Sequence, residues 1–266
     1  MIKLIISDID GTLLNSQGQL PTRFHDVFTE LKAQNILFGV ASGRQYYSLL
    51  TILKKYQQDI FFISNNGSMI TYKNEILYEK SIDRDILIDI ISYLKTIPEI
   101  YIFLYGKEYS YLEESDLNIN DHFNDKAYYH IVPNILHMLD KTILKIALYI
   151  PMGNAVNESL RIKDALPYDI HIAASTPYWI DITAKNANKG SAVQFLKTEF
   201  NFKSQNMMAF GDYLNDIEML KSVKYSYAMD NAHDYVKKNS RFQTTSNNEN
   251  GVLLGIKEHI SLKIAI

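Results

Sequence analysis

The sequence predicts an α/β protein, a Rossmann-like parallel-sheet core with a second α/β unit inserted into it. Three observations point there. Short apolar runs alternate with stretches of helical periodicity over residues 4–64. The texture changes over residues 83–185, and the alternation then returns. A strand–helix–strand order implies right-handed crossovers and parallel pairing.

Residues 4–6 read as a buried strand. Residues 21–35 follow as a helix, with Phe24, Val27, Phe28 and Leu31 at helical spacing. Residues 36–41 are the second strand, 45–56 a helix and Ile60–Ser64 the third strand. Asn65, Asn66 and Gly67 make a turn into two short strands, 69–72 and 76–78. In the middle section, helix 84–97 leads to strand 100–104 and a turn near Gly106. A poorly patterned polar stretch covers 113–125. It precedes a helix near Ile135, strand 143–150, helix 154–166 and strand 169–173. Beyond Trp179, Ile180, Asp181 and Ile182 come helix 189–200, strand 207–210, helix 214–220, strand 225–228 and helix 251–259. This divides the chain into a core of residues 1–82 with 186–266 and an inserted unit of residues 83–185, joined by short connections.

Composition narrows the function. Of 266 residues, 47% are apolar and 21% charged, so the chain is globular. A formal charge of −3 argues against a nucleic-acid backbone as the main partner, because such binding relies on many Lys and Arg contacts. With no cysteine, disulfides, thiol catalysis and zinc–thiolate sites are excluded. No apolar run approaches the roughly 20 residues of a membrane span. The first apolar run is too short for a signal peptide and meets Asp8 and Asp10 at once. The expectation is a cytoplasmic protein, a monomer or small homo-oligomer, with no membrane partner.

Four clusters carry the chemistry, and each follows or faces a strand end, where ligands bind in open parallel sheets. Asp8-Ile9-Asp10-Gly11-Thr12-Leu13-Leu14 follows the first strand. Residues two apart in an extended chain point the same way, so Asp8 and Asp10 can converge on a cation. Oxygen ligands of this kind suit Mg²⁺. Ala41-Ser42-Gly43-Arg44 closes the second strand, and its hydroxyl and loop amides can nest an anion. Arg44 either assists there or caps a helix. Lys189 opens a helix, where a cation opposes the macrodipole unless an anion lies near. Gly211-Asp212-Tyr213-Leu214-Asn215-Asp216 sets two acids four apart on one helix face.

The Asp-x-Asp-Gly-Thr-Leu-Leu string resembles the first motif of the haloacid dehalogenase-like hydrolases, and the other three clusters resemble that family's remaining motifs in order. The position of the insertion resembles the Cof-type, or class IIB, subclass with an α/β cap. Asn65-Asn66-Gly67-Ser68, Ala228-Met229-Asp230-Asn231-Ala232 and Asn248-Glu249-Asn250-Gly251-Val252 resemble stretches of that subclass, with Ser68, Asp230 and Asn250 as departures. The resemblance implies an Mg²⁺-dependent phosphatase for small phosphorylated metabolites such as sugar phosphates. It implies Asp8 as nucleophile and Asp10 as general acid and base. It implies that Lys189 neutralises charge and that Ile9, Ser42, Gly43, Arg44 and Asn215 hold the phosphate with it. It implies a metal site made by Asp8, Asp10, Asp212 and Asp216.

A carboxylate attacking a phosphate dianion faces roughly 8 kcal/mol of repulsion at about 4 Å and an effective dielectric of about 20, or some six decades of rate. Mg²⁺ and Lys189 together would offset it. In the inserted unit, Tyr101, Phe103, Tyr105, Tyr109, Tyr111, Phe123, Tyr128 and Tyr129 read first as core or strand-face residues, and His122 and His130 as weak candidates for substrate contact. A phosphomutase or a non-catalytic metabolite-binding protein on the same fold are the alternatives. A dinucleotide-binding dehydrogenase is disfavoured because no Gly-x-Gly-x-x-Gly opens the first crossover.

Overall fold

Continuous apolar runs become strands covered on both faces, as parallel sheets require. In the computed structural model, which describes residues 1–116 and 129–264, all five residues of β1 (Leu4–Asp8) are buried. Helix α1 (Phe24–Ala33) packs Phe24, Val27, Phe28 and Leu31 inward. It is shorter than its periodicity suggests. Pro21 to Phe24 makes a single turn, and Asn35 takes a φ of 56°, which ends the helix. Strands β2 (Leu37–Ala41) and β3 (Ile60–Ser64) flank α2 (Tyr46–Leu53). Strands β4 (Met69–Tyr72) and β5 (Glu75–Glu79) form a hairpin across Lys73 and Asn74, whose φ values of 51° and 67° are those of a tight two-residue turn.

Helix α3 (Arg84–Leu94), capped by the Asp83 side chain, precedes β6 (Tyr101–Tyr105), β7 (Ser110–Glu113) and β8 (Tyr129–Val132). Then follow β9 (Lys145–Tyr149), α4 (Ala155–Ala165), β10 (Ile170–Thr176) and β11 (Trp179–Ala184). The chain continues through α5 (Lys189–Glu199), β12 (Met207–Gly211), α6 (Ile217–Ser222), β13 (Tyr225–Ala228), α7 (Asp234–Asn239), β14 (Phe242–Gln243) and α8 (Gly251–Lys257).

The strands form two sheets. The first runs β14-β13-β12-β1-β2-β3-β4-β5, parallel from β14 to β3 and antiparallel beyond. Strand β1 lies between β12 and β2, so loops from opposite ends of the sequence leave the sheet side by side. The second sheet runs β10-β11-β9-β6-β7-β8, antiparallel except between β7 and β8. Each sheet has its own apolar cluster. In the second sheet, Ile102, Leu104, Ile146, Leu148, Ile180 and Ile182 join one cluster with α3. Period-two alternation therefore turns Phe103, Tyr105, Lys145, Ala147, Trp179 and Asp181 to the opposite face.

Several elements differ from expectation. Strands β7 and β8, helix α7 and the two-residue β14 carry too little periodicity to stand out. The helix near Ile135 is a 3₁₀ turn, Ile135–Met138, and α3 stops at Leu94 rather than 97. Residues His122, Phe123 and Tyr128, with most of the polar stretch, lie outside the described residues.

Phe61 on β3 is fully buried, stacked on Tyr72 with centroids 4.2 Å apart and edge-on to Phe200 at 5.1 Å. Phe61→Ala is expected to cost about 3–5 kcal/mol of stability. Urea unfolding measures it, and an unchanged midpoint would contradict this account of the core.

Candidate active site

Asp8 is the last residue of β1, at the pole where the loops after β1, β2, β3 and β12 emerge. Beyond it the chain leaves the extended conformation. The main-chain N–H of Leu13 donates back to the Asp8 carbonyl at 3.2 Å, and Gly11 takes a φ of 78°. At Gly11 a Cβ would lie 2.5 Å from Asp212 Oδ2, so glycine is required both for the dihedral and for the approach of the β12 loop. The Thr12 hydroxyl donates to Asp212 Oδ1 at 2.7 Å and ties the two loops together.

Lys189 enters at the first position of α5, whose preceding residue, Asn188, caps the helix by accepting from the Ser191 N–H at 2.8 Å. Its side chain is 1% exposed and donates to Asp8 Oδ1 and, at 2.6 Å, to Asp216 Oδ1. These anions offset the macrodipole penalty that the sequence position carries. Asp216 Oδ2 also accepts the main-chain N–H groups of Asp212 (3.0 Å) and Tyr213 (3.1 Å), which folds the loop after β12 around its carboxylate. Gly211 makes room for it, since a Cβ there would lie 2.6 Å from Asp216 Cβ.

The carboxylates of Asp8, Asp212 and Asp216 gather with ligand oxygens within 4.8 Å of one another. Asp10, expected as a fourth ligand, does not join them. Its side chain is 52% exposed and takes a two-pronged salt bridge from Arg44, Nε to Oδ2 at 2.8 Å and Nη2 to Oδ1 at 2.7 Å. The same-side expectation for residues two apart fails because the strand ends at Asp8. Arg44 pairs with Asp10 on the cavity wall. Ile9 is fully buried, so any ligand contact it makes falls to its backbone. Ser42 is buried and accepts the Arg44 N–H at 3.1 Å. Asn215 donates to Asn66 Oδ1 at 2.9 Å.

Sequence reasoning missed three polar residues beside this group. Asn66 donates to Asp181 Oδ2 at 2.8 Å, and the Lys145 ammonium meets Asp181 Oδ1 at 2.8 Å and the Gly43 carbonyl at 2.6 Å. The available signal was a lone lysine and a lone aspartate inside apolar strand runs. A cavity of about 490 Å³ opens between the two sheets. Asp8, Asp10, Ser42, Arg44, Asp212 and Asn215 line one side, and Tyr105, Lys145, Trp179 and Asp181 part of the other. Of the aromatic residues noted in the middle section, Tyr105 reaches the cavity; Tyr101 and Phe103 pack with Tyr149 and Trp179 on the sheet face. His130 packs against Tyr109 and Tyr111.

Charge is unbalanced at the centre. Burial pushes the Asp8 carboxyl well above the usual carboxylate range; Lys189 pulls it down, while Asp216, Asp212 and Asp10 push it further up. Burial, with Asp216 next to it, lifts Asp212 to about 7 against the opposing pull of Thr12 and Lys189. Burial alone would lower the Lys189 pKa, yet Asp216 and Asp8 outweigh it and hold the ammonium charged. Three carboxylates against one ammonium leave two formal negative charges, which a divalent cation would neutralise. The donors are all oxygens, the set preferred by a hard ion such as Mg²⁺.

A family model described as haloacid dehalogenase-like hydrolase matches residues 5–256. The 5-amino-6-(5-phospho-D-ribitylamino)uracil phosphatase YbjI of Escherichia coli (strain K12) is 30% identical over 259 residues, covering 95% of this chain and 94% of its own. The phosphatase YcsE of Bacillus subtilis (strain 168), which carries the same substrate name, is 27% identical over 259 residues, covering 97% and 96%. Among solved structures, SMU.1108c from Streptococcus mutans UA159 matches with a TM-score of 0.88 at 34% identity, covering 98% of this chain and 100% of that one. With the motif loops gathered at one pole of the sheet, the chain belongs to the haloacid dehalogenase-like hydrolases, as a phosphatase of the Cof type.

Proposed function

We propose that this enzyme hydrolyses phosphate monoesters of small metabolites with the help of Mg²⁺, through a phosphorylated Asp8. The observation that carries this reading is the burial of Asp8 beside Lys189 and two further carboxylates at the mouth of a cavity large enough for a metabolite. Asp8, Asp212 and Asp216 would hold or support the metal, which supplies charge compensation for the phosphoryl group. The Ser42 hydroxyl, the Gly43 amide and Asn215 receive the phosphoryl oxygens, with the Ile9 backbone beside them.

An Asp8 carboxylate oxygen attacks phosphorus and the bond to the leaving oxygen breaks. Asp10, on the cavity wall, gives its proton to that oxygen once Arg44 turns from it to the phosphate. Water then attacks the phosphorus of the aspartyl-phosphate. Asp10 takes a proton from that water, and inorganic phosphate leaves with the Asp8 carboxylate restored. Lys189 stays charged throughout and spreads the developing negative charge.

Residues 83–185 act as a cap that closes the cavity and selects the leaving group. The substrates to try first are phosphorylated polyols attached to a flat ring. This choice is supported by the names of the two relatives and by the cavity-lining rings of Tyr105, Trp179 and Tyr213.

Asp8→Asn is expected to lower phosphate release by at least about 10³-fold with the melting temperature held or raised, because a buried charge is removed. A phosphate-release assay with matched melts reads both; retained turnover would exclude Asp8 as nucleophile. EDTA is expected to abolish turnover and Mg²⁺ to restore it. The metal-free protein also has a pH signature. Asp212 titrates at about 7 when folded and near 3.8 when unfolded, so the folded state binds the extra proton. Its contribution to stability falls as pH rises from about 4 to about 7 and is flat above. Melts in EDTA should therefore decline between about pH 5 and about pH 7, and Mg²⁺ or Asp212→Asn should flatten that decline. Equal slopes under all three conditions would refute the charge surplus.

A further inference from the structure

The phosphatase chemistry leaves unused a buried ion pair on the second sheet. Lys145 on β9 and Asp181 on β11 are 4% and 3% exposed, with Nζ and Oδ1 2.8 Å apart. In the β9–β11 register Thr183 faces Lys145 and Asp181 faces Ala147, so the pair spans the ladder diagonally on the sheet face turned to the cavity. The remaining bonds of both residues lead to the loop after β2. The Lys145 ammonium donates to the Gly43 carbonyl at 2.6 Å and lies 4.4 Å from the Tyr105 ring centroid. Asp181 Oδ2 accepts Asn66 Nδ2 at 2.8 Å, and the Asn66 main-chain N–H donates to the Ser42 carbonyl at 2.9 Å.

Two consecutive carbonyls, Ser42 and Gly43, are therefore each gripped by a donor, and Asp181 holds both donor residues, Lys145 by its ammonium and Asn66 by its side-chain amide. In a trans peptide the N–H points opposite to the C=O. Gripping these carbonyls fixes the direction of the Gly43 and Arg44 amides. The Arg44 amide bonds the Ser42 oxygen at 3.1 Å, which leaves the hydroxyl proton to donate outward. Donors set in this way before the substrate arrives are what a developing phosphoryl charge needs. The loop fits closely, since a Cβ at Gly43 would lie 3.3 Å from Asp181 Oδ2. As a source of stability such a pair is weak, and two apolar residues would serve as well. With two oxygen acceptors and the Tyr105 ring around Lys145, the pair is spent on geometry and not on reading the leaving group.

We propose that Lys145 and Asp181 are positioning residues by which the second sheet orders the phosphate-binding loop at Ser42 and Gly43, so that the loop is set for phosphoryl transfer only with that sheet seated on it. The proposal rests on the phosphatase reading for its catalytic consequence, but not for the ordering itself.

Two variants test it: Asp181→Asn, and Lys145→Met/Asp181→Asn, which leaves no unpaired buried charge. In metal-free protein, amide hydrogen exchange over residues 42–44 and Asn65–Gly67 is expected to quicken by about an order of magnitude or more, with the strands of both sheets unchanged. With Mg²⁺, both variants are expected to bind orthovanadate more weakly. They should lose between about 10- and 100-fold in kcat/KM, by the same factor, on p-nitrophenyl phosphate and on a sugar phosphate. Unchanged exchange in the double variant would overturn the proposal. So would a shift in preference between the two esters with orthovanadate binding intact, which would make the pair a reader of the leaving group. If the unaltered enzyme cleaves neither ester, the phosphatase reading fails, while the exchange rates still decide whether the pair orders the loop.

Discussion

One buried ammonium shared by two buried carboxylates governs this structure. Lys189 donates to Asp8 and Asp216 with almost no exposure to water, and Asp212 stands beside them. An isolated charge could not be held there, because desolvation costs far more than packing returns. Each member is tolerable only because the others are present. The sheet order follows from the same need: the Asp8 loop and the Asp212 loop become neighbours because β12, from late in the sequence, lies against β1. The glycines at 11 and 211 serve it too, since each lies where a carboxylate passes too close for a Cβ.

That grouping is stable but not neutral. Two negative charges in excess make the site a sink for protons or for a divalent cation. Asp216, with two main-chain donors and Lys189, is satisfied by the protein alone. Asp8 and Asp212, lifted by burial, are the groups with most to gain from a cation. The protein's own bonds thus separate an anchoring aspartate from two that stand ready for chemistry.

The parallel sheet was legible because its strands are continuous apolar runs and its helices are amphipathic. The four motif loops could be placed because each sits at a strand end or faces one. What stayed hidden is physical in kind. Strand β14 has two residues and no periodicity to detect. The alternation of an extended strand places Asp10 with the metal ligands, but the strand stops two residues earlier, and Arg44 provides a counter-charge across the loop. Lys145 and Asp181 lie 36 positions apart, and their pairing depends on strand register, which no local pattern encodes. Asn66 stood in a recognised turn, yet its role comes from what the turn faces, not from the turn itself.

The division between the two sheets now has a chemical sense. The buried carboxylates and the ammonium that joins them sit at strand ends of the parallel sheet and at the start of α5. The second sheet offers a face of rings with one buried ion pair in it, and that pair, on the cavity wall, bonds across to the Gly43 carbonyl and the Asn66 side chain. A rigid face can carry different rings and different loops, such as the Ser175 to Trp179 corner, without altering the reacting group. On the proposal above, it cannot lose its polar link to Gly43 and Asn66 without releasing the Gly43 amide and the Ser42 hydroxyl that receive phosphate. Change in what is bound and constancy in how it is cleaved are therefore separable on this fold, because they depend on different atoms of the same face.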